Sequence, residues 1–188
     1  NKMFQYDFYV PSKNLLIEFD GKQHFISGCK FGSFVGSDKD LSLLSLKYDF
    51  AFVAVGNLLI RKKLQCMLVG LGFKLPSIVH NSSSVSSSIS IGSGSCILRN
   101  AAIGTNTVIG KGVIINVGAS VTYSCNIGNY SHIGPGAVLC SKCTVGECTL
   151  VGAGSTLIPN THVTDYCIIG AGAAVITNIN TTGKLYVG

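Results

Sequence analysis

A branched aliphatic residue recurs at every sixth position from Val85 to Val175. Apolar positions recur every three to four residues in an amphipathic helix and every second residue in a half-buried strand. A fixed period of six residues is instead typical of a parallel β-helix built from hexapeptide repeats. The series runs without a break through Val85, Ile91, Ile97, Ile103, Ile109, Ile115, Val121, Ile127, Ile133, Leu139, Val145, Val151, Leu157, Val163, Ile169 and Val175.

Small residues form a second series, two positions before the aliphatic one. Ile89 and Val113 are its only large members, and the others are Ser, Ala, Thr or Cys. Aliphatic and small side chains that alternate inward suit a narrow triangular coil, in which three hexapeptides complete one turn. The sixteen hexapeptides of this chain then predict about five coils, stacked roughly 4.8 Å apart by strand hydrogen bonds.

Glycine directly follows the aliphatic residue in half of the hexapeptides. Glycine adopts backbone dihedral angles that other residues avoid, so we expect a corner of unusual geometry at this position. The glycines concerned are Gly92, Gly104, Gly110, Gly128, Gly134, Gly146, Gly152 and Gly170.

The chain before residue 81 has a different pattern. Residues 49–55 form a continuous apolar run suited to a buried parallel strand. Residues 58–69 have helical spacing with Arg61, Lys62 and Lys63 exposed, and residues 75–80 form a second extended segment. Together these three segments predict a β-α-β unit.

Three segments are therefore predicted along the chain. Residues 1–26 form an atypical N-terminal segment, residues 27–80 a partial Rossmann-like domain, and residues 81–188 a β-helix. The predicted fold class is mainly β, with a β-helix of about five coils preceded by a small, truncated Rossmann-like α/β domain.

Charge and composition restrict the partners. The net charge is +6, and residues 1–80 carry ten basic and six acidic side chains. This excess could suit an anionic cofactor, but the dense basic stripe of a nucleic-acid-binding face is missing. No apolar run has the length of a membrane span, and the opening residues NKMFQYDF do not form a secretory signal. We therefore expect a cytoplasmic protein without a nucleic-acid partner.

The eight cysteines do not form a convincing metal site. Cys125, Cys143 and Cys167 occupy the small inward series, where a reduced thiol behaves as a compact hydrophobe. Cys140, Cys143 and Cys148 resemble half of a zinc site, but they point in different directions and no fourth ligand is placed. We expect no metal and a reducing compartment.

Eight segments carry a specific resemblance, and together they extend from about residue 27 to the end. They are similar to nucleotide-sugar acetyltransferases of the PglD/NeuD type. The resemblance implies a left-handed β-helix, a homotrimer, and acetyl transfer from acetyl-coenzyme A to a sugar amine or hydroxyl. The segments are Tyr48-Asp-Phe-Ala-Phe-Val-Ala-Val-Gly-Asn57, Ile60-Arg-Lys-Lys63, Gly72-Phe-Lys74, Ile78-Val-His80, Val113-Ile-Ile-Asn116, His132-Ile-Gly-Pro-Gly136, Val151-Gly-Ala-Gly-Ser155 and Ile169-Gly-Ala-Gly-Ala173.

The resemblance also places the catalytic residues. The family has a His-Glu or His-Asp pair before the Cys of a Cys-x-Ile-Gly coil, and here Tyr123 and Ser124 occupy those positions. A phenol, with a reference pKa near 10, is a poor base at neutral pH compared with imidazole, and losing a positioned base typically costs ~10²–10⁴ in rate. Asn116 matches an asparagine near the family's active site, although an asparagine ladder of the solenoid explains it almost equally well.

The implied activity is N-acetylation of a UDP-linked 4-amino sugar, impaired because Tyr123 replaces the base histidine. A sugar O-acetyltransferase and a catalytically inactive structural trimer are the alternatives. For cofactor binding the resemblance implies His132, Ala153 and Ala171. His132 could also be a plain surface residue or a replacement base, and the two alanines could be ordinary coil turns.

Two sequence features remain in the N-terminal part. Gly56 and Asn57 end the apolar run, where such sheets bind ligands, and a purely structural turn is an equal alternative. Residues 6–25 resemble a fragment of a PD-(D/E)xK endonuclease, with Asp7, Glu18 and Asp20 as its metal-facing carboxylates. The fragment is too short to build that domain, so we interpret it as a fused remnant whose apolar strand replaces the missing first Rossmann strand.

Overall fold

The computed structural model describes residues 41–46 and 48–187. The chain divides into two compact units, residues 1–76 and residues 77–188. The N-terminal segment with Asp7, Glu18 and Asp20 lies outside the described residues, so its resemblance to an endonuclease fragment stays a prediction.

Unit 1 contains an apolar segment that leads into a capped helix. After the short helix α1 (Leu41–Leu44), Phe50 forms a parallel bridge with Lys74. Helix α2 (Leu58–Gly70) begins where the side chain of Asn57 accepts a hydrogen bond from the Ile60 N–H at 3.1 Å. Such an N-cap satisfies a donor that the first helical turn leaves unpaired, and the predicted helix is confirmed.

A single glycine, Gly72, terminates helix α2. Gly72 has φ +90°, and the Phe73 N–H bonds back to the Leu68 carbonyl at 3.0 Å while the Gly72 N–H bonds to Val69 at 3.0 Å. This pair of bonds is a Schellman motif, which closes the open carbonyls of a helix C-terminus. The buried core of unit 1 consists of Leu41, Leu44, Ala51, Val53, Leu68, Phe73 and Leu75.

Unit 2 is a parallel β-helix in which two-residue strands form three sheets. Sheet 1 contains β1 (Ile78–Val79), β4 (Cys96–Ile97), β7 (Ile114–Ile115), β10 (His132–Ile133), β13 (Leu150–Val151), β16 (Ile168–Ile169) and β18 (Leu185–Tyr186). Sheet 2 contains β2 (Ser84–Val85), β5 (Ala102–Ile103), β8 (Ser120–Val121), β11 (Val138–Leu139), β14 (Thr156–Leu157) and β17 (Ala174–Val175). Sheet 3 contains β3 (Ser90–Ile91), β6 (Val108–Ile109), β9 (Asn126–Ile127), β12 (Thr144–Val145) and β15 (His162–Val163).

The predicted left-handed, mainly β fold is confirmed, with about six coils rather than about five. One reason is that residues 78–79 belong to the solenoid, whereas the sequence pattern grouped residues 75–80 with the small domain. Strand β1 pairs with Cys96–Ile97. Val79 lies six residues before Val85 and so continues the aliphatic series by one step. This extra repeat is the sequence feature that would have assigned residues 78–79 to the solenoid. Strand β18 extends sheet 1 at the other end.

Both inward series fill the interior as predicted. Ile133, Ala137 and Leu139, for example, have exposed fractions of 0%. Because the interior is dry, its hydroxyl groups need protein partners. Ser131 Oγ donates to the Gly146 carbonyl at 2.6 Å and accepts from the Thr149 N–H at 3.0 Å. Each such hydroxyl therefore ties one coil to the next, as also occurs at Ser95, Thr107 and Thr149.

The expected reason for the glycines after the aliphatic residues is wrong. Unusual dihedral angles occur two positions later, for example at Gly136 (φ +64°) and Ser124 (φ +57°). The glycines after the aliphatic residues are needed because neighbouring coils approach closely. A Cβ atom at Gly128 would lie 2.6 Å from the Gly146 carbonyl carbon and the Glu147 nitrogen.

Candidate active site

Asn116 and His132 meet on the outer side of sheet 1. Strands β7 and β10 are neighbours, with Ile114 in register with His132. Side chains alternate along a strand, so the buried Ile133 points inward and His132 points outward. The Asn116 Nδ2 atom lies 3.0 Å from the His132 Nε2 atom, and both residues are half-buried. The structure thus joins a residue predicted for catalysis with one predicted for cofactor binding.

The edge between sheets 1 and 2 begins directly after strand β10, which contains His132, and is nearly free of side chains. In three successive coils it reads Gly-Pro-Gly (134–136), Gly-Ala-Gly (152–154) and Gly-Ala-Gly (170–172). Ala153 and Ala171 are exposed and occupy equivalent positions in neighbouring coils. We call these three segments the Gly/Ala edge. An extended, thin ligand could lie against its backbone because only two methyl groups and one proline ring project from it.

Tyr123 and Ser124 lie on a different edge, between β8 of sheet 2 and β9 of sheet 3. The Tyr123 side chain is 50% exposed. In a triangular coil this edge lies opposite sheet 1, and a face of six residues is up to about 20 Å wide at ~3.3 Å per residue. Tyr123 and His132 of one chain are therefore too far apart to act on the same substrate atom.

A pair of thiols lies just inside the Tyr123 edge. The Cys143 thiol hydrogen-bonds the Cys125 sulfur, which lowers the pKa of Cys125 to about 7 and raises the pKa of Cys143. A thiol with a depressed pKa is a candidate nucleophile. Cys125 is only 1% exposed and Cys143 is fully buried, however, so neither thiol is accessible to a sugar or a thioester.

The Gly56–Asn57 turn of unit 1 is held by Arg61. Arg61 Nη1 donates to the Val55 and Gly56 carbonyls, each at 2.9 Å. Arg61 is 1% exposed, so the expectation that it is exposed is wrong, whereas Lys63 is exposed as predicted. Helical spacing gave no sign of this role, because the guanidinium acts on carbonyls that precede the helix.

The structure collects the predicted site residues into three groups. Asn116, His132, Ala153 and Ala171 lie along one side of the solenoid, Tyr123 and Ser124 lie on the edge between sheets 2 and 3, and Gly56 and Asn57 lie in unit 1. In residues 41–46 and 48–187, no three His, Cys, Asp or Glu side chains are grouped so that they could hold a metal ion. Neither helix of this part of the chain is long and apolar enough to cross a membrane.

Comparison with known proteins identifies close relatives. The family model for bacterial transferase hexapeptide repeats (six repeats) matches residues 124–158. No match was found among curated proteins. A GDP-perosamine N-acetyltransferase from Caulobacter crescentus, solved as a histidine-to-alanine mutant with CoA and GDP-perosamine, is 34% identical over 82% of this chain and 73% of its own, with a TM-score of 0.80.

A second relative agrees with the first. The acetyltransferase domain of PglB from Neisseria gonorrhoeae, solved with acetyl coenzyme A, is 33% identical over 85% of this chain and 78% of its own, with a TM-score of 0.81. The N-acyltransferase AntD from Bacillus cereus is 17% identical with a TM-score of 0.55, which supports the fold alone. On the strength of the first two relatives, the chain belongs to the hexapeptide-repeat sugar N-acetyltransferases.

Proposed function

We propose that the protein transfers the acetyl group of acetyl-coenzyme A to the amine of a nucleotide-linked amino sugar, a UDP-linked 4-amino sugar being the expected acceptor. The observation that carries the proposal is the 34% identity, over 82% of the chain, to an N-acetyltransferase solved with CoA and GDP-perosamine. A cytoplasmic location is part of the proposal.

The Gly/Ala edge is the proposed binding surface for the pantetheine arm of acetyl-coenzyme A. Ala153 and Ala171 leave the backbone accessible, and His132 stands at one end of this edge beside Asn116. An arm that lies along the edge would bring its thioester toward these two polar side chains. Gly56 and Asn57 are proposed to contact the nucleotide sugar, in a turn whose carbonyls Arg61 fixes.

The reaction is a direct acyl transfer. The amine nitrogen forms a bond to the thioester carbonyl carbon, the carbon–sulfur bond breaks, and one amine proton ends on the coenzyme A sulfur. An amine that titrates near pH 8, as an α-amino group does, is partly neutral at pH 7 and already has a free electron pair. A sugar hydroxyl needs an activating base before it can attack. A chain with Tyr123 in the base position is therefore better suited to N-acetylation than to O-acetylation.

We further propose that the active protein is a homotrimer. Within one chain the Tyr123 edge and the His132 side of sheet 1 lie apart, so a complete site needs the Tyr123 edge of a second copy. Sheet 1 also has the most apolar outer side of the three sheets. Its outward residues beside His132 are Ile114, Leu150 and the 43% exposed Ile168.

Acetyl-coenzyme A turnover with UDP-linked and GDP-linked 4-amino sugars tests the proposed function. The wild-type protein, Tyr123→His and Tyr166→His should be compared. Tyr166 is an exposed tyrosine with φ +57°, a conformation that histidine tolerates, and it lies on the edge between sheets 3 and 1. This control therefore places the same imidazole away from the proposed site.

We expect measurable turnover by the wild-type protein and faster turnover by Tyr123→His, with a gain of ~10²-fold or more from an imidazole that acts as a positioned base. Tyr166→His should behave as the wild type. Turnover by Tyr123→His alone would mean that the protein binds both substrates but lacks the catalytic base. The natural protein would then be inactive, as the alternative of a catalytically inactive structural trimer states. Failure of all three proteins with every acceptor would contradict the proposed function.

A further inference from the structure

The orientation of the Asn116 amide is determined by its backbone neighbour. The Val117 N–H donates to Asn116 Oδ1 at 2.7 Å. A backbone N–H is only a donor, so the amide atom that faces it must be the carbonyl oxygen. The amide NH₂ group consequently faces the other way, toward His132.

This orientation determines where the His132 ring carries its proton. The Asn116 Nδ2 atom lies 3.0 Å from His132 Nε2. The NH₂ group has donors only, so Nε2 must accept the hydrogen bond with its free electron pair. The proton of the neutral ring is then on Nδ1, since the tautomer follows from the hydrogen bond that the other nitrogen makes.

The hydrogen bond from Asn116 itself favours a neutral ring. In the sheet, His132 is in register with Ile114 of β7 and Leu150 of β13. Neither of these side chains is titratable. An imidazolium would also direct a second N–H at the Asn116 NH₂ group, and the 3.0 Å hydrogen bond would be lost.

We propose that Asn116 is a positioning residue that holds His132 in the neutral tautomer protonated on Nδ1. His132 then offers a hydrogen-bond donor at Nδ1, while the Asn116 amide occupies the lone pair at Nε2. In acetyl transfer, a role that rests on the proposed function, such a ring donates to the oxygen that gains negative charge as the amine attacks. It does not remove the proton from the amine, so His132 is not the replacement base.

Nitrogen NMR of ¹⁵N-histidine-labelled full-length protein tests this proposal directly. Two-bond ¹H–¹⁵N spectra distinguish the two neutral tautomers and the imidazolium ion. The chain has four histidines, and a His132→Gln variant assigns the signals of His132 by their loss. We expect the wild-type ring to show the pattern of the Nδ1-protonated tautomer.

Asn116→Asp provides the sharper comparison. The Asp carboxylate retains an acceptor for the Val117 N–H, but it presents an oxygen to His132 Nε2 instead of an NH₂ group. The proton should therefore move to Nε2, and the ring should become charged at a pH at least one unit higher than in the wild type. Asn126→Asp is the matched control, because it adds the same charge on the exposed side of sheet 3.

A wild-type spectrum of the Nε2-protonated tautomer would overturn the proposal, and so would an Asn116→Asp ring that titrates as the wild type or as Asn126→Asp. The backbone spectrum of each variant shows whether it is folded. The measurement uses no substrate, so a lack of acetyl transfer would contradict the proposed function and leave the assignment of the ring proton intact.

Discussion

Individual glycines of the solenoid serve two purposes that substitution can separate. Gly128 lies where the next coil passes, so that an added Cβ atom would be 2.6 Å from backbone atoms. Gly136 has φ +64°, but a Cβ atom added there would have no neighbouring atom within 4 Å. At Gly128 the backbone of the next coil leaves no room for a side chain, whereas at Gly136 the positive φ disfavours any residue with a Cβ atom.

Gly128→Ala should therefore destabilise the protein more than Gly136→Ala. We expect about 3 kcal/mol or more for Gly128→Ala, the upper range for overpacking, because backbone rather than a side-chain end must move. Gly136→Ala should cost about 1–2 kcal/mol, the usual penalty for a left-handed conformation. Urea unfolding of both variants and the wild type measures the difference. An equal or larger loss for Gly136→Ala would instead favour the corner-dihedral explanation.

Single residues also show which contacts the hydrophobic pattern predicts and which it does not. The period of six residues placed Ile133 and its counterparts in the core correctly because each position has the same environment in every coil. Arg61 lay on a helix whose spacing predicted exposure, yet it is buried against the Val55 and Gly56 carbonyls. A contact that depends on how an apolar segment approaches a helix leaves no periodic trace in the sequence.

At the scale of elements, inward hydroxyl groups connect strands that lie in successive coils. Ser131 Oγ bridges the Gly146 carbonyl and the Thr149 N–H. Both partners are backbone groups in the interior, where an unpaired donor or acceptor is costly. The small inward residue is thus more than a space filler wherever it is Ser or Thr.

Ser131→Ala should reduce the free energy of unfolding by at least about 2 kcal/mol, because it leaves two buried groups unsatisfied and each costs about 1–3 kcal/mol. Ser120→Ala is the control, since Ser120 points outward from β8 and is only half-buried. Its effect should stay within about 0.5 kcal/mol, as is usual for surface positions. Urea titrations followed by circular dichroism provide the measurement, and equal losses for the two variants would show that the bridge contributes nothing.

For the whole molecule, the separation of Tyr123 from His132 in one chain makes assembly part of the proposed activity. A closed ring of copies with one repeated contact would place an edge of each chain against a side of the next. The apolar outer side of sheet 1, with Ile168 43% exposed, is the proposed contact surface. An exposed row of this kind is typical of surfaces that are covered by a partner.

Ile168→Lys should therefore weaken the trimer. Sedimentation of the wild type should give about three times the chain mass of 19.7 kDa, and Ile168→Lys should shift the mass toward a single chain because burying an unpaired ammonium is costly. Ala174→Lys, on the exposed side of sheet 2, should leave the mass unchanged. A monomeric wild type, or an unchanged mass for Ile168→Lys, would contradict this part of the proposal.

The sequence by itself determined the repeating parts of the protein. The aliphatic and small series specified the coil, its interior and the stacking of residues eighteen positions apart, because identical local choices in every hexapeptide lead to the same packing. Asn116, His132, Tyr123 and the two alanines were named as site residues from resemblance, but their arrangement could not be read from that pattern.

Only the tertiary structure decided how those residues are grouped. It joined Asn116 to His132 across two coils, separated both from Tyr123 by the width of the solenoid, and oriented one amide through the Val117 N–H. It also buried Arg61 behind the Gly56 turn. Periodicity determines which way a side chain points, whereas hydrogen-bond partners depend on distances between coils and segments that no single repeat contains.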